Sequence, residues 1–243
     1  MAAYYNEWEP FAAQWLRNLI SAGHIPAGDV DERSITEVQP DDLRGYRQAH
    51  FFAGLAGWAY AARLAGLADD FPIWTGSPPC QPHTRANPNR RGLADKRHLW
   101  PELARLVRAC RPPVLFGEQS ADAIANGWLD EVASDLEGAG YTVWAKGIPA
   151  CAVGAEHERL RLWFVADSGE PGLSLSERQT LLRARRREER AATAGGHGWS
   201  AQSGLVPVLH GVPGRVGGIK AAGNAIVPQV GAEVIAAYLE CLP

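Results

Sequence analysis

The chain has 243 residues, 46% of them hydrophobic and 21% charged, with a formal net charge of −3. That content can bury a full core and suits one α/β domain with a small appendage better than two large domains. The charge lacks the overall signature of a nucleic-acid binder, no stretch is long and apolar enough to span a bilayer, and the first residues lack a basic-then-apolar leader, so a cytoplasmic protein is expected.

Taken in chain order, the apolar spacing from Pro10 to Ala22 predicts an amphipathic helix with Phe11, Trp15, Leu16, Leu19 and Ile20 inward. A second helix runs from Trp58 to Leu67, behind the loop Phe52-Ala53-Gly54-Leu55-Ala56-Gly57. The run Phe71-Pro72-Ile73-Trp74 reads as a strand that breaks into Pro79-Cys80-Gln81-Pro82, a thiol on a turn whose prolines restrict the backbone. The following stretch, residues 84–92, is too polar and turn-rich to pack internally. His98 to Cys110 is a third helix, using Leu99, Leu103, Leu106, Val107 and Cys110 and stopped by Pro112-Pro113. Val114-Leu115-Phe116 is a short buried strand that leads into Gly117-Glu118-Gln119. A helix from Ala121 to Ala139 buries Ile124, Leu129, Val132 and Leu136 and is closed by Gly138 and Gly140. Tyr141 to Gly147 and Leu160 to Ala166 read as strands, and an apolar helix through Ile226, Val227, Val230, Val234 and Ile235 follows Gly223-Asn224. Strands alternating with helices imply a doubly wound, mainly parallel sheet, with chemistry at the carboxyl ends of its strands. The four cysteines, Cys80, Cys110, Cys151 and Cys241, lack Cys-x-x-Cys spacing, which argues against a zinc site and a disulfide framework.

Several of these segments together resemble the DNA cytosine-5 methyltransferases. Phe52 to Trp58 resembles that family's Gly-rich cofactor loop, Pro79-Cys80-Gln81 its nucleophile loop, and Gly117-Glu118-Gln119 the block that carries its catalytic glutamate. His157-Glu158-Arg159-Leu160-Arg161 resembles its Gln-x-Arg-x-Arg block, and residues 223–229 its C-terminal cofactor-side block. The resemblance implies a class I methyltransferase fold that uses S-adenosyl-L-methionine to methylate cytosine C5 in double-stranded DNA, flipping the base out of the duplex. Cys80 would be the thiolate that adds to C6, Glu118 would hydrogen-bond N3 with its pKa raised by burial, and Arg161 would hold O2. On a strand Arg159 and Arg161 would share a face, with Leu160 and Leu162 in the core. Gly54, Leu55 and Gly57 would let the cofactor approach the backbone, Phe52 would pack under it and Asn224 would complete its wall. Gln81, Arg85, Arg90 and Arg91 would meet DNA, the arginines at its phosphates. The second arginine-rich stretch, Arg178 to Arg190, reads equally as a solvated face.

One departure concerns order. Asn6-Glu7-Trp8-Glu9-Pro10 resembles the family's ribose block and Gly28-Asp29-Val30 its adenine block, yet both precede the Gly-rich loop they would ordinarily follow. The resemblance therefore implies a permuted fold in which Glu7 accepts from the ribose hydroxyls, Trp8 lies on the adenine and Asp29 sits nearby. The catalytic domain is expected over 1–167 and 211–243, with a very small recognition region over 168–210, acting as a monomer without metal. Ala56, His83, Gln119 and His157 differ from the family's usual residues. A catalytically silent DNA-binding relative and an RNA cytosine methylase are the alternative readings.

Overall fold

The computed structural model describes residues 3–79, 98–169 and 225–241. Seven strands form one sheet in the order β2-β1-β3-β4-β5-β7-β6, made of β1 (Ala3–Asn6), β2 (Gly28–Asp31), β3 (Gln48–Phe51), β4 (Ile73–Gly76), β5 (Val114–Ser120), β6 (Thr142–Ile148) and β7 (Arg161–Asp167). The first five run parallel, and β7 is antiparallel to both β5 and β6. This is the doubly wound, mainly parallel sheet the sequence predicts. Its permutation is visible in the strand order. β1, which carries the segment resembling the ribose block, lies directly beside β3, whose end carries the Gly-rich loop, and β2, with the segment resembling the adenine block, lies on the far side of β1. β3 in turn pairs with β4, the strand that leads toward Cys80.

Helices cover both faces. Trp100, Leu103, Leu106 and Val107 of α3 (Trp100–Cys110) and Trp128, Val132 and Leu136 of α5 (Trp128–Gly138) pack with Tyr4, Phe51, Trp74, Leu115 and Phe164 on one face. The opposite face takes α1 (Pro10–Ser21), α2 (Gly57–Leu64) and the last helix, here α6 (Pro228–Cys241), against Tyr5, Ile73, Phe116 and Trp163. A short helix α4 (Asp122–Ala125) precedes α5.

Local chemistry explains where the elements differ from expectation. In α1 the buried residues are Ala12, Ala13 and Leu16, while Phe11 and Trp15 stay 37% and 43% exposed. Two alanines let the helix sit low on the sheet, and a residue one position from the stripe's centre is turned about 100° away. The helix expected over 121–139 is broken between α4 and α5 because Gly127 takes φ 75°, which leaves Ile124 exposed. Strand β5 extends four residues beyond Phe116, since its partner β7 pairs along its whole length. Leu160 is exposed rather than in the core, because β7 begins only at Arg161. Ile226 and Val227 precede α6, whose first residue is Pro228, a favoured helix opener.

Candidate active site

The carboxyl ends of β1, β3, β4 and β5 and the start of β7 meet at one edge of the sheet, and most of the described candidate residues stand there. Cys80, Gln81, Arg85, Arg90, Arg91 and Asn224 lie outside the described residues, as does most of the expected recognition region.

Glu118 is set by β5 register. It pairs across the ladder with Trp163, while Ser120 pairs with Arg161, so these four side chains share the face covered by α2 and α6. Glu118 is 7% exposed, and its Oε1 accepts from Arg161 Nε at 3.0 Å. Burial raises its pKa to about 7, outweighing the opposing pull of Arg161 and Arg159. A buried carboxyl with two arginines in reach is thus only half ionised near neutrality. Among the described residues, two buried polar atoms beside it, Ser120 Oγ and Trp163 Nε1, have no hydrogen-bond partner.

Arg159 and Arg161 are placed differently from the expected strand pair. Arg161 opens β7, whereas Arg159 precedes the strand with φ 33° and its Nη2 donates to the Ala225 carbonyl at 2.8 Å. Arg159 still acts on Glu118 electrostatically, but it also ties the start of β7 to the segment before α6.

The Gly-rich loop and the N-terminal segment form one unit. Glu7, 9% exposed at the end of β1, accepts from the Gly54 N–H through Oε2 at 2.8 Å and from the Glu9 N–H through Oε1 at 2.9 Å. Its pKa is raised by burial despite these bonds. Each oxygen keeps a second lone pair for a hydroxyl donor. Trp8, next in the chain, is 73% exposed. The loop is tightly wound, with positive φ at Phe52, Gly54 and Ala56 (54°, 53° and 66°). The left-handed turn at Ala56 explains why the family's glycine suits that position. Gly57 serves packing: a Cβ there would lie 2.5 Å from Ile226, so α2 and the segment before α6 close against each other only over glycine. Leu55 and Phe52 are half-buried, Phe52 against the core under α3.

Asp29 lies on the edge strand β2, and its carboxylate accepts from Tyr46 Oη at 2.6 Å. It lines an open cleft of about 470 Å³ together with Tyr4, Asp31, Arg33 and Asp42. Arg33 bridges Asp31 at 2.6 Å and Asp42 at 3.1 Å, which holds the Asp31 carboxyl below the usual range. This charged frame was missed from sequence. The acid-rich Gly28-Asp29-Val30-Asp31-Glu32-Arg33 run and its two-residue alternation were the available signal. Also missed was a buried polar chain under the site. His50, 1% exposed, is joined to Thr75 Oγ1 at 2.9 Å and Gln48 Oε1 at 3.3 Å and stacks on Tyr5. Among the described residues no group of three or more His, Cys, Asp or Glu could hold a metal, and no helix is long and apolar enough to cross a membrane.

The chain is similar in fold to DNMT2 of Spodoptera frugiperda (TM-score 0.47, 14% identity, covering 70% of this chain and 44% of that one). It is likewise similar to a putative DNA modification methyltransferase encoded within an E. coli prophage (TM-score 0.45, 16% identity, 71% and 42% covered) and to Dnmt2 of S. pombe (TM-score 0.43, 14% identity, 73% and 55% covered). The chain thus spans about half the length of these proteins or less. No curated protein matches it. The family model for C-5 cytosine-specific DNA methylases matches residues 2–180, well over half of the sequence. On that match the chain belongs to the C-5 cytosine-specific DNA methylase family.

Proposed function

We propose that the protein methylates cytosine C5 in double-stranded DNA, with S-adenosyl-L-methionine as methyl donor and Cys80 as nucleophile. The observation that carries this reading is Glu118: a nearly buried carboxyl with a pKa near 7, bonded to Arg161, at the end of the strand beside the one that leads to Pro79 and Cys80. Cytosine C5 is too weakly nucleophilic to be methylated unaided. Attack of the Cys80 thiolate on C6 forms an S–C bond and moves the C5–C6 π electrons toward C5, while protonated Glu118 donates to N3 and offsets the charge that builds there. Arg161, with five N–H donors, can keep Glu118 and still reach the base O2. When bound, S-adenosylmethionine supplies an electrophilic methyl group to the activated C5. Loss of the C5 proton to water then returns its electron pair to the C5–C6 double bond and expels Cys80 as thiolate, with S-adenosylhomocysteine as the other product. Residues 168–210 are the proposed recognition region, and Arg85, Arg90 and Arg91 the proposed phosphate contacts.

The residues at the ends of β1 and β3 fit the cofactor. Glu7 offers a desolvated carboxylate with acceptor capacity left over, Trp8 an exposed indole, and Gly54 a backbone that a ligand can approach. Glu7→Ala is expected to weaken S-adenosylmethionine binding by about 1.5–3 kcal/mol, the usual worth of hydrogen bonds to a charged group. Calorimetric titration that returned the wild-type affinity would remove Glu7 from the cofactor site.

The nucleophile is tested by trapping. On DNA containing 5-fluorocytosine, wild-type protein with cofactor should form a denaturant-resistant adduct, because fluorine cannot leave as the C5 proton does, and Cys80→Ala should form none. An adduct with Cys80→Ala, or none with wild type, defeats the assignment. Adduct formation on 5-fluorocytosine RNA but not on DNA would turn the reading to an RNA methylase.

A further inference from the structure

The stem that runs from β4 toward Cys80 is gripped by side chains from two other elements. Trp58 Nε1 donates to Ser77 Oγ at 3.0 Å, and Gln119 Nε2 donates to the Pro78 carbonyl at 3.1 Å. Gln119 Oε1 meanwhile accepts the Ser120 N–H at 2.9 Å, which fixes the amide's orientation. The two grips come from opposite faces of the sheet. Trp58 meets Trp163 edge-on at 5.3 Å on the face that carries Glu118, and Gln119, one residue further along β5, points to the other face.

Both donors are buried, Trp58 at 6% and Gln119 at 3% exposure. A buried N–H is costly unless it is matched, so each side chain is committed to its acceptor on the stem. Pro78 and Pro79 fix φ at the next two positions, and Pro78 also restricts Ser77. The chain therefore leaves Pro78 in a direction set by α2 and β5 together. Trp58 is the second residue of α2 and follows the Gly-rich loop directly, while Gln119 follows Glu118. Cofactor loop, nucleophile stem and acid strand are locked into one frame by these two hydrogen bonds.

We infer that Trp58, acting through Ser77, is a positioning residue for the nucleophile, with Gln119 as the opposing hold on Pro78. The inference rests on the reading of Cys80 as the nucleophile. It is tested with Trp58→Phe, which keeps a ring against Phe116 and Trp163 but removes the N–H, with Ser77→Ala, which removes the acceptor, and with Ser77→Thr, which keeps a hydroxyl. The readout is loss of tritium from cytosine C5 in DNA without S-adenosylmethionine, a reaction in which the thiolate adds at C6, C5 takes a proton from water and gives up its tritium, and the thiolate leaves again. Melting temperature and calorimetric cofactor affinity are measured alongside. Trp58→Phe and Ser77→Ala should each slow exchange roughly 10-fold, as a slightly misplaced reacting group does. The double variant should be no slower than the worse single, because both remove one bond. Ser77→Thr should exchange nearly as wild type, and cofactor affinity should stay within about twofold throughout, since the bond lies on the stem. Wild-type exchange rates in both singles, fully additive losses, or a loss that Ser77→Thr does not restore would overturn the inference. Absence of exchange in the wild-type protein would instead sink the methyltransferase reading, and this inference with it.

Discussion

Glu118→Gln is expected to slow methyl transfer on the order of 10²-fold or more, with cofactor affinity little changed. The substitution keeps the shape of the side chain and removes the acidic proton that would be shared with the base. Its pH dependence is the sharper test. Because burial raises the Glu118 pKa to about 7, the protonated form that can donate is dominant below that value and falls about tenfold per pH unit above it. The wild-type rate should therefore decline on the alkaline side of about pH 7, and that limb should vanish in Glu118→Gln. A Gln variant that keeps the same alkaline limb would assign the ionisation to another group. Equal losses in turnover and in cofactor binding would move Glu118 from chemistry to folding.

His50→Gln should remove a large part of the protein's acid sensitivity. In the fold His50 lies buried between β1 and β4, bonded to Thr75 and Gln48, and burial lowers its pKa from 6.5 to about 3. The folded state holds it neutral while the unfolded chain takes up a proton. Its contribution is therefore complete above pH 6.5 and is lost as pH falls toward 3, at about 1.4 kcal/mol per pH unit. Urea unfolding of both proteins between pH 7 and 4 gives the difference. The variant should be less stable at pH 7, having lost a satisfied core residue, yet its curve should converge on that of the wild type as pH drops. Glu7, Asp31 and Glu118 titrate in both proteins and so cancel from the comparison. Curves that stay parallel would mean His50 is already charged in the fold, or is reached by water.

Much of this architecture was legible in the sequence, because strands and helices here announce themselves by period. The alternation of elements gave the parallel sheet, and Asn6-Glu7-Trp8 ahead of the Gly-rich loop gave its permutation. Register then delivered Glu118 and Arg161 to one spot; the resemblance implied that meeting, whereas the strand period of residues 114–116 stops short of Glu118 and does not say that the two strands pair. Depth of burial was harder to see. Nothing in the spacing of Phe11 and Trp15 says that Ala12 and Ala13 will take the sheet and leave the aromatics outside, since periodicity names a stripe but not how low a helix sits on small residues. Contacts between distant parts of the chain were invisible for a different reason. Trp58 to Ser77, Gln119 to Pro78 and Arg33 to Asp42 depend on where loops end in space, and each looks in sequence like an ordinary polar or aromatic residue. Arg159 shows the same limit: its left-handed backbone keeps it out of a strand whose alternating pattern runs back two residues to reach it.

The placement of β1 and β2 before β3 also bears on how the protein is made. Every described group of the Glu7–Gly54 cradle, together with the Asp29 cleft, lies within one stretch of about fifty residues whose strands pair with near neighbours in sequence. Contacts of short sequence separation form quickly, and a nascent chain folds its earlier segments while later ones are still in the ribosome. The half that carries Glu7 and Gly54 can thus close before β5 and β7 exist, whereas the half that carries Glu118 must wait for β7 to slot between β5 and β6. A ligand that bound the early half would meet the growing chain before it could perform any chemistry, and would stabilise it by mass action at the stage when its apolar sheet edge at β3 is still bare.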